Sequence, residues 1–482
     1  MRNNRIILLA LMLMSLVPFK SEAQEQQKPN IVFILADDQR ANTIHALGNE
    51  EIITPNLDKL TEKGMYFNNT YIMGSYSGAV CQPSRAMLLS GRYLNNLTKS
   101  GATIPENDIT IGETLQDAGY NCYGIGKYHA DPASFARCFS GGQDIYFGGM
   151  YDQWNVPLHS YASLSHFKKN MHPVIEDDHH SNKVTYKQGE YTYGGKHSTE
   201  IFTDATLDYI KDYDSDKPFF IYTAFMTPHD PRSTYQRYID MYDTANISVP
   251  VNFLPEHPFD NGELRVRDEQ LAAFPRVKSE IKGHIRDYYA LITHNDEKLG
   301  QVIATLKEKG IYDNTIIIYS GDNGLALGQH GLMGKQNMYD HSMKVPLIIA
   351  GKGITPGAKS DAMLYLTDLY PTLCEMLGIT VPASVDGSSF YASVKDPKQE
   401  NRKYLMTTYK NQQRAVRDDQ FKLIKYHVKG ERHTQLFDLK NDPWETTNLI
   451  DKKKYKSEVK RLEKAMEELL VTYNDQGWVV EE

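Results

Sequence analysis

The chain has 482 residues, more than one hydrophobic core usually holds, so one large domain with a smaller partner is expected. Hydrophobic residues at 40% and charged residues at 24% describe an ordinary globular protein, and a net charge of −8 argues against nucleic acid as the main partner. Residues 1–23 carry Arg2 and Arg5, the apolar stretch Ile6–Val17 and the small-x-small run Ser21, Glu22, Ala23. This is the pattern of a secretory signal peptide, so the mature protein is expected to be exported, periplasmic or secreted, with no membrane segment.

Asn30–Leu35 is a continuous apolar, β-branched run that ends abruptly at Asp37 and Asp38. Continuous rather than alternating hydrophobicity predicts a strand covered on both faces. The pattern recurs in NCYGIG, which runs into Lys127, Tyr128 and His129, and in PFFIYTAF, which runs into Thr227, Pro228, His229 and Asp230. It recurs again in NTIIIYS, followed by Asp322 and Asn323, and in VPLIIA, which ends at Gly351. Helical patterns lie between them: one starts at Thr54 and Pro55 and is stopped by Gly64, one runs from Thr110 to Gly119, and one runs from Thr199 toward Tyr209. The alternation predicts a doubly wound α/β domain with ligands bound beyond the carboxyl ends of the strands.

Phe139–Lys196 and Asn252–Arg276 show no clear period and read as loops flanking those strand ends. Ile281–Lys309 is helical, with His294 and Asp296 serving packing, and Thr367–Leu377 is another helix. After Gly387 the texture changes: FKLIKYH and TQLFDL alternate as hairpin strands before an amphipathic last helix through Leu462 and Met466. The division is a signal peptide over 1–23, a main domain over 27–398 and an α+β subdomain over 399–482. Of the four cysteines, Cys122 and Cys374 read as core residues, and a Cys122–Cys138 disulfide stays open.

Cys81 lies two residues before Pro83, four before Arg85, and just before an apolar run. Proline favours a first helical position, which puts Cys81 just ahead of a helix whose free N–H groups and dipole would suit an anion and depress a thiol pKa. A buried thiol or half of a disulfide is the alternative from spacing alone. Asp37, Asp38, Asp322 and Asn323 are hard oxygen donors from the ends of two strands, suited to Ca²⁺ or Mg²⁺ rather than zinc, and a purely structural role is the competing reading.

CQPSRAMLLSGR, residues 81–92, resembles the signature of the formylglycine-dependent sulfatases of the alkaline phosphatase-like superfamily, and the resemblance extends over most of the chain. GKYH, with Lys127 and His129, is similar to the family's GKWH, with Tyr128 in place of tryptophan. His229 in TPHDP resembles the PHxP histidine, and Lys335 in GLMGKQ the second lysine. The resemblance implies a mostly parallel α/β sheet with a smaller C-terminal antiparallel sheet and helix. It also implies conversion of Cys81 to 3-oxoalanine (formylglycine) by a maturation enzyme, and a Ca²⁺ held by Asp37, Asp38, Asp322, Asn323 and the modified Cys81.

The reaction it implies is hydrolysis of a sulfate monoester on a saccharide. Lys127, Lys335 and Arg85 would bind the transferring group and Arg85 the hydrate. His129 is the candidate base for the second hydroxyl, and His229 and Lys335 are candidates to protonate the leaving alcohol. Arg232, Arg265, Arg267 and Arg276 are candidates for saccharide recognition, with ion pairs to Asp230, Glu263 and Asp268 as the alternative. His330 is within possible reach of substrate, and His341 reads as packing. Competing functions are a phosphodiester or phosphonate ester hydrolase of the same fold and an inactive glycan-binding homologue.

Overall fold

The computed structural model describes residues 28–161, 171–175 and 184–478, so the signal-peptide reading of residues 1–23 lies outside the described residues. An eight-stranded sheet forms the centre, in the order Ala358–Tyr365, Gly64–Tyr71, Leu347–Gly351, Thr315–Gly321, Asn30–Ala36, Phe219–Ala224, Asn121–Lys127, Gly141–Tyr146. Asn30–Ala36 is buried at every position and pairs in parallel with Phe219–Ala224 on one side and Thr315–Gly321 on the other. That double coverage is what its unbroken hydrophobicity demands. Leu347–Gly351 runs antiparallel to Thr315–Gly321, which makes the sheet mixed.

The two faces separate cleanly. Val32 and Ile34 join Leu57, Ile201, Phe202, Leu299 and Val302 of the helices Pro55–Lys63, Ser198–Asp212 and Lys278–Glu308. Ile31, Phe33 and Leu35 join Met87, Leu88, Ile111, Leu115 and Leu373 of the helices Cys81–Ser90, Ile111–Asp117 and Leu369–Leu377. Thr110 caps its helix with a full capping box to Glu113. Among the described residues no helix is long and apolar enough to cross a membrane.

The structure extends one reading, corrects a second and closes a third that was open. Gly64 does more than stop a helix: it opens the strand Gly64–Tyr71, where a Cβ would lie 2.6 Å from the Ile349 carbonyl oxygen. Within Phe139–Lys196, Gly141–Tyr146 forms the sheet edge and Met171–Ile175 pairs with Val184–Gln188; polar edge strands lack the apolar run that marks a central one. The Cys122–Cys138 disulfide is absent: all four cysteines are free and buried, and the Cys122 thiol donates to the Gly112 carbonyl at 3.4 Å.

A second, five-stranded sheet has the order Glu431–Asp438, Phe421–Val428, Gln413–Arg417, Leu405–Tyr409, Gly74–Ser75, with the helix Lys456–Thr472 packed on it. The first four strands are antiparallel, whereas Gly74–Ser75 comes from the segment before Cys81 and pairs in parallel with Leu405–Tyr409. The C-terminal turn tightens the same junction. Tyr76 donates to Asp475 at 2.9 Å, Asn95 donates to the Tyr473 carbonyl at 2.8 Å, and Arg414 forms a fully buried pair with Asp475 at 2.6 Å.

Candidate active site

Asp37 and Asp38 follow Asn30–Ala36, and Asp322 and Asn323 follow the adjacent Thr315–Gly321, with Ala36 opposite Gly321. All four side chains are buried. Asp38 has a φ of 66°, a left-handed conformation that costs a non-glycine residue on the order of 1 kcal/mol and is found at sites that need it. The turn lets its amide N–H donate to Asp322 Oδ1 at 3.0 Å and its carbonyl accept from the Tyr288 hydroxyl at 2.5 Å. Asn323 Nδ2 donates to Asp38 Oδ1 at 2.7 Å.

Cys81 is the first residue of the helix Cys81–Ser90 rather than a residue ahead of it; Pro83 sits inside the first turn, where N–H groups have no intrahelical acceptor in any case. Arg85, fully buried, brackets three strand ends. Its Nε donates to Asp322 Oδ2 at 2.8 Å, its Nη1 donates to the Lys127 carbonyl at 2.6 Å, and Nη2 lies 3.9 Å from Asp37. Ser84 Oγ donates to the Asp322 carbonyl at 2.5 Å. The helix start is therefore tied to the carboxylate cluster.

Around the Cys81 sulfur stand His129 Nδ1 at 3.4 Å, Lys127 Nζ at 3.7 Å and Lys335 Nζ at 3.8 Å. The expected depression of the thiol is reversed. Burial pushes it up to about 11, and the pull of Lys127 and Lys335 does not offset the desolvation of a buried thiolate.

Lys127 pairs with Asp37, and Lys335 Nζ donates to Asp38 Oδ1 at 2.6 Å. Donor atoms of Asp37, Cys81 and Asp322 lie within 4.8 Å of one another. Asp37 Oδ1 and Asn323 Oδ1 are buried with no hydrogen-bond partner, and burial together with the neighbouring Asp322 carboxylate lifts Asp37 to about 6. Orphaned, mutually repelling oxygens are what a hard divalent cation would satisfy, and an all-oxygen donor set beside one sulfur position fits Ca²⁺.

His129 also has a left-handed φ, 64°, and burial with the adjacent Lys127, Arg85 and Lys335 charges holds its imidazole well below the usual histidine range. It is a neutral ring beside Cys81. His229 has Nδ1 2.8 Å from the Asp230 carbonyl, which places a proton there, and Nε2 3.7 Å from Asp38 Oδ2.

The four arginines part company. Arg232 Nε and Nη2 are buried without partners, while its Nη1 lies 3.4 Å from His284 Nδ1. Arg267 pairs with Asp230 and, at 2.8 Å, with Asp268. Arg265 is exposed and stacks on Phe274 at 4.6 Å.

Arg276 is corrected from a substrate ligand to an internal clamp. It is buried, pairs with Glu269 and donates to the Gly331 and Ala272 carbonyls. Glu269 in turn accepts from the Met333 and Gly334 amides, both at 2.8 Å, and so fixes the loop that delivers Lys335. His330 also stands apart, stacked on Tyr339 at 3.8 Å with Nε2 3.0 Å from Asn252 Nδ2.

Glu269 and Gln336, whose Oε1 accepts from the Lys335 amide at 3.0 Å, carry no sequence signal, because they act on backbone. Arg276→Ala is expected to lower stability by about 3–5 kcal/mol, since it leaves Glu269 buried and unpaired. It should slow small and large substrates alike, whereas Arg232→Ala raises KM only for a large one. Thermal melts with paired kinetics check both outcomes.

Comparison with known proteins follows this geometry. The family model described as Sulfatase matches residues 29–379, and that described as N-sulphoglucosamine sulphohydrolase, C-terminal, matches residues 328–472. The chain is 25% identical to an N-acetylglucosamine-6-O-sulfatase of Bacteroides thetaiotaomicron, over 98% of this chain and 92% of the relative. A solved structure described as a complex with its substrate D-glucosamine-2-N,6-O-disulfate superposes with a TM-score of 0.71 at 23% identity, covering 93% of this chain and 99% of that one. A phosphonate monoester hydrolase of Agrobacterium radiobacter superposes with a TM-score of 0.72 at 20% identity, covering 93% and 96%.

Proposed function

The chain belongs to the sulfatase family and is a sulfuric ester hydrolase, and we propose that it removes sulfate from a carbohydrate through Cys81 converted to formylglycine and a bound Ca²⁺. One observation carries the reading: Cys81 sits at a helix start between two lysines and a neutral histidine, beside buried oxygens that lack partners. Asp37, Asp38, Asp322 and Asn323 would hold the cation, which would supply Lewis acidity and charge for a sulfate oxygen. The hydrated aldehyde would supply one hydroxyl to attack sulfur and a second whose deprotonation releases sulfate.

The residues present divide the remaining work. Lys127 and Lys335 set two ammonium groups beside the reacting position, where they bind a sulfuryl group whose charge shifts in the transition state. Arg85 orients the helix start and links it to Asp322. His129 Nδ1, neutral and adjacent to the Cys81 side chain, can take a proton there. His229 presents Nε2 to the site with Nδ1–H held by a backbone carbonyl, so the ring donates to the leaving oxygen from Nε2 in its doubly protonated form.

The carbohydrate part rests on the N-acetylglucosamine-6-O-sulfatase relative and on the unpartnered Arg232 donors, which suit a sugar carboxylate or second sulfate. The basic, apolar and small-residue pattern of residues 1–23 supports export. Conversion of Cys81 requires a maturation enzyme as a partner. The phosphonate hydrolase likeness concerns the fold and does not move the reading to phosphorus.

Intact-mass measurement tests the modification: the mature chain is expected to be lighter by the difference between H₂S lost and O gained. An unmodified thiol in fully active protein would refute it. The donor role is tested by leaving group. His229→Ala is expected to slow a saccharide sulfate by about 10²–10⁴-fold and a nitrophenyl sulfate much less, because nitrophenolate departs without a proton. Lys335→Ala should depress both alike, and equal effects from His229→Ala would remove it from the donor role.

A further inference from the structure

A cavity of about 430 Å³ is bordered by Arg40, Asn252, Gln329, His341, Lys344 and Trp444, and by none of the residues that surround Cys81. It adjoins a second hollow of about 450 Å³ that shares Arg40, Gln329 and Trp444. The space is of the size that takes a small ligand. It is close to the catalytic frame without opening on it: a Cβ at Gly324, next to Asn323, would meet both the His341 carbonyl and the Arg40 side chain.

Four of the bordering side chains are more than nine-tenths buried: Arg40, Gln329, Asn252 and His341. Each has a polar atom with no partner, namely Arg40 Nε, Gln329 Nε2, Asn252 Oδ1 and both ring nitrogens of His341. A buried polar group left unpaired costs about 1–3 kcal/mol, and the walls of this one cavity hold four residues with such groups. Their placement is not slack. Asn252 Nδ2 donates to Gln329 Oε1 at 3.1 Å and to the Trp444 carbonyl at 2.8 Å, locking three walls together.

Charge selects the ligand. Arg40, Lys344 and the exposed Lys359 border the cavity, and among the described residues none has a carboxylate within ion-pairing distance. The two carboxylates there, Asp340 and Glu445, are both taken by Lys422. Free donors therefore outnumber free acceptors, which suits an oxygen-rich anion. Trp444 adds an aromatic wall of the kind on which sugar rings pack.

We propose that this cavity is a second, non-catalytic site that binds an anionic saccharide unit, carrying a carboxylate or sulfate. The anionic part rests on the lining alone; the saccharide part rests on the glycan reading given above.

Hydrogen exchange of the intact protein tests it, with sulfated hexasaccharides from a glycosaminoglycan, an ulvan and a carrageenan as probes. At least one is expected to slow amides in 40–47 and 443–446 as well as those in 127–129. Lys344→Gln with Lys359→Gln should weaken protection of the first two segments about tenfold, the loss of a charge-assisted hydrogen bond. Trp444→Ala should weaken it independently.

Protection near Cys81 alone, with every probe, would overturn the cavity and leave the glycan reading standing. No protection anywhere, in protein that still hydrolyses nitrophenyl sulfate, would overturn both. Equal protection by a desulfated, carboxyl-reduced hexasaccharide would overturn the requirement for an anion.

Discussion

Cys81→Ala is expected to lower kcat by roughly six orders of magnitude, the scale on which hydrolases lose rate when their nucleophile is removed. Nothing else near the sulfur replaces it: His129, Lys127 and Lys335 are a neutral ring and two cations already committed to other work. The variant should still fold, because the side chain removed is small and the helix start remains held by Ser84 and Arg85. Cys81→Ser should be equally inactive unless the host's maturation enzyme accepts serine. Turnover of nitrophenyl sulfate beside a thermal melt decides the matter, and wild-type rates from either variant would sink the assignment.

Asp322→Ala is expected to abolish activity and, unlike the first variant, to destabilise the fold by about 3–5 kcal/mol. The reason lies in what it leaves behind. Arg85 loses its closest carboxylate at a position with no solvent access, and the Asp38 amide loses its acceptor. Asp322→Asn keeps the shape and the acceptor but removes the charge, so it should lose metal with a smaller loss of stability. Elemental analysis is expected to find calcium in the wild-type protein and little in either variant. Fully active protein that is metal-free by the same analysis would overturn the cation site.

The parts of this molecule legible in the sequence are those whose physics is local. Asn30–Ala36 and Thr315–Gly321 announce themselves because a central parallel strand is apolar throughout, and the site residues Asp37, Asp38, Asp322 and Asn323 are found simply by reading past the ends of such strands. Gly64–Tyr71 was hidden because Asn68 and Asn69 are half-buried polar residues in the middle of it. The Cys81 thiol shows the same limit from the electrostatic side: a helix start is visible in sequence, but the burial that raises the thiol is not.

Arg276 and Glu269 were illegible as a clamp, since backbone amides of Met333 and Gly334 are the groups they serve. Arg232 differs from Arg267 and Arg276 by lacking a carboxylate partner, which no spacing reveals.

The junction of the two sheets also sets a schedule for the nascent chain. Gly74–Ser75 has its partner strand at Leu405–Tyr409, and Tyr76 and Asn95, on either side of Cys81, are fastened to Asp475 and Tyr473. The contacts that flank Cys81 in its buried place are thus complete only when nearly the last residue has been synthesised. At bacterial or eukaryotic elongation rates, that delay is on the order of tens of seconds. Until then the segment from Cys81 to Arg85 lacks part of the frame that buries it, and in the folded chain the cysteine and arginine are closed off. For the conversion proposed above, this burial favours an enzyme that reaches Cys81 during synthesis or before folding is complete.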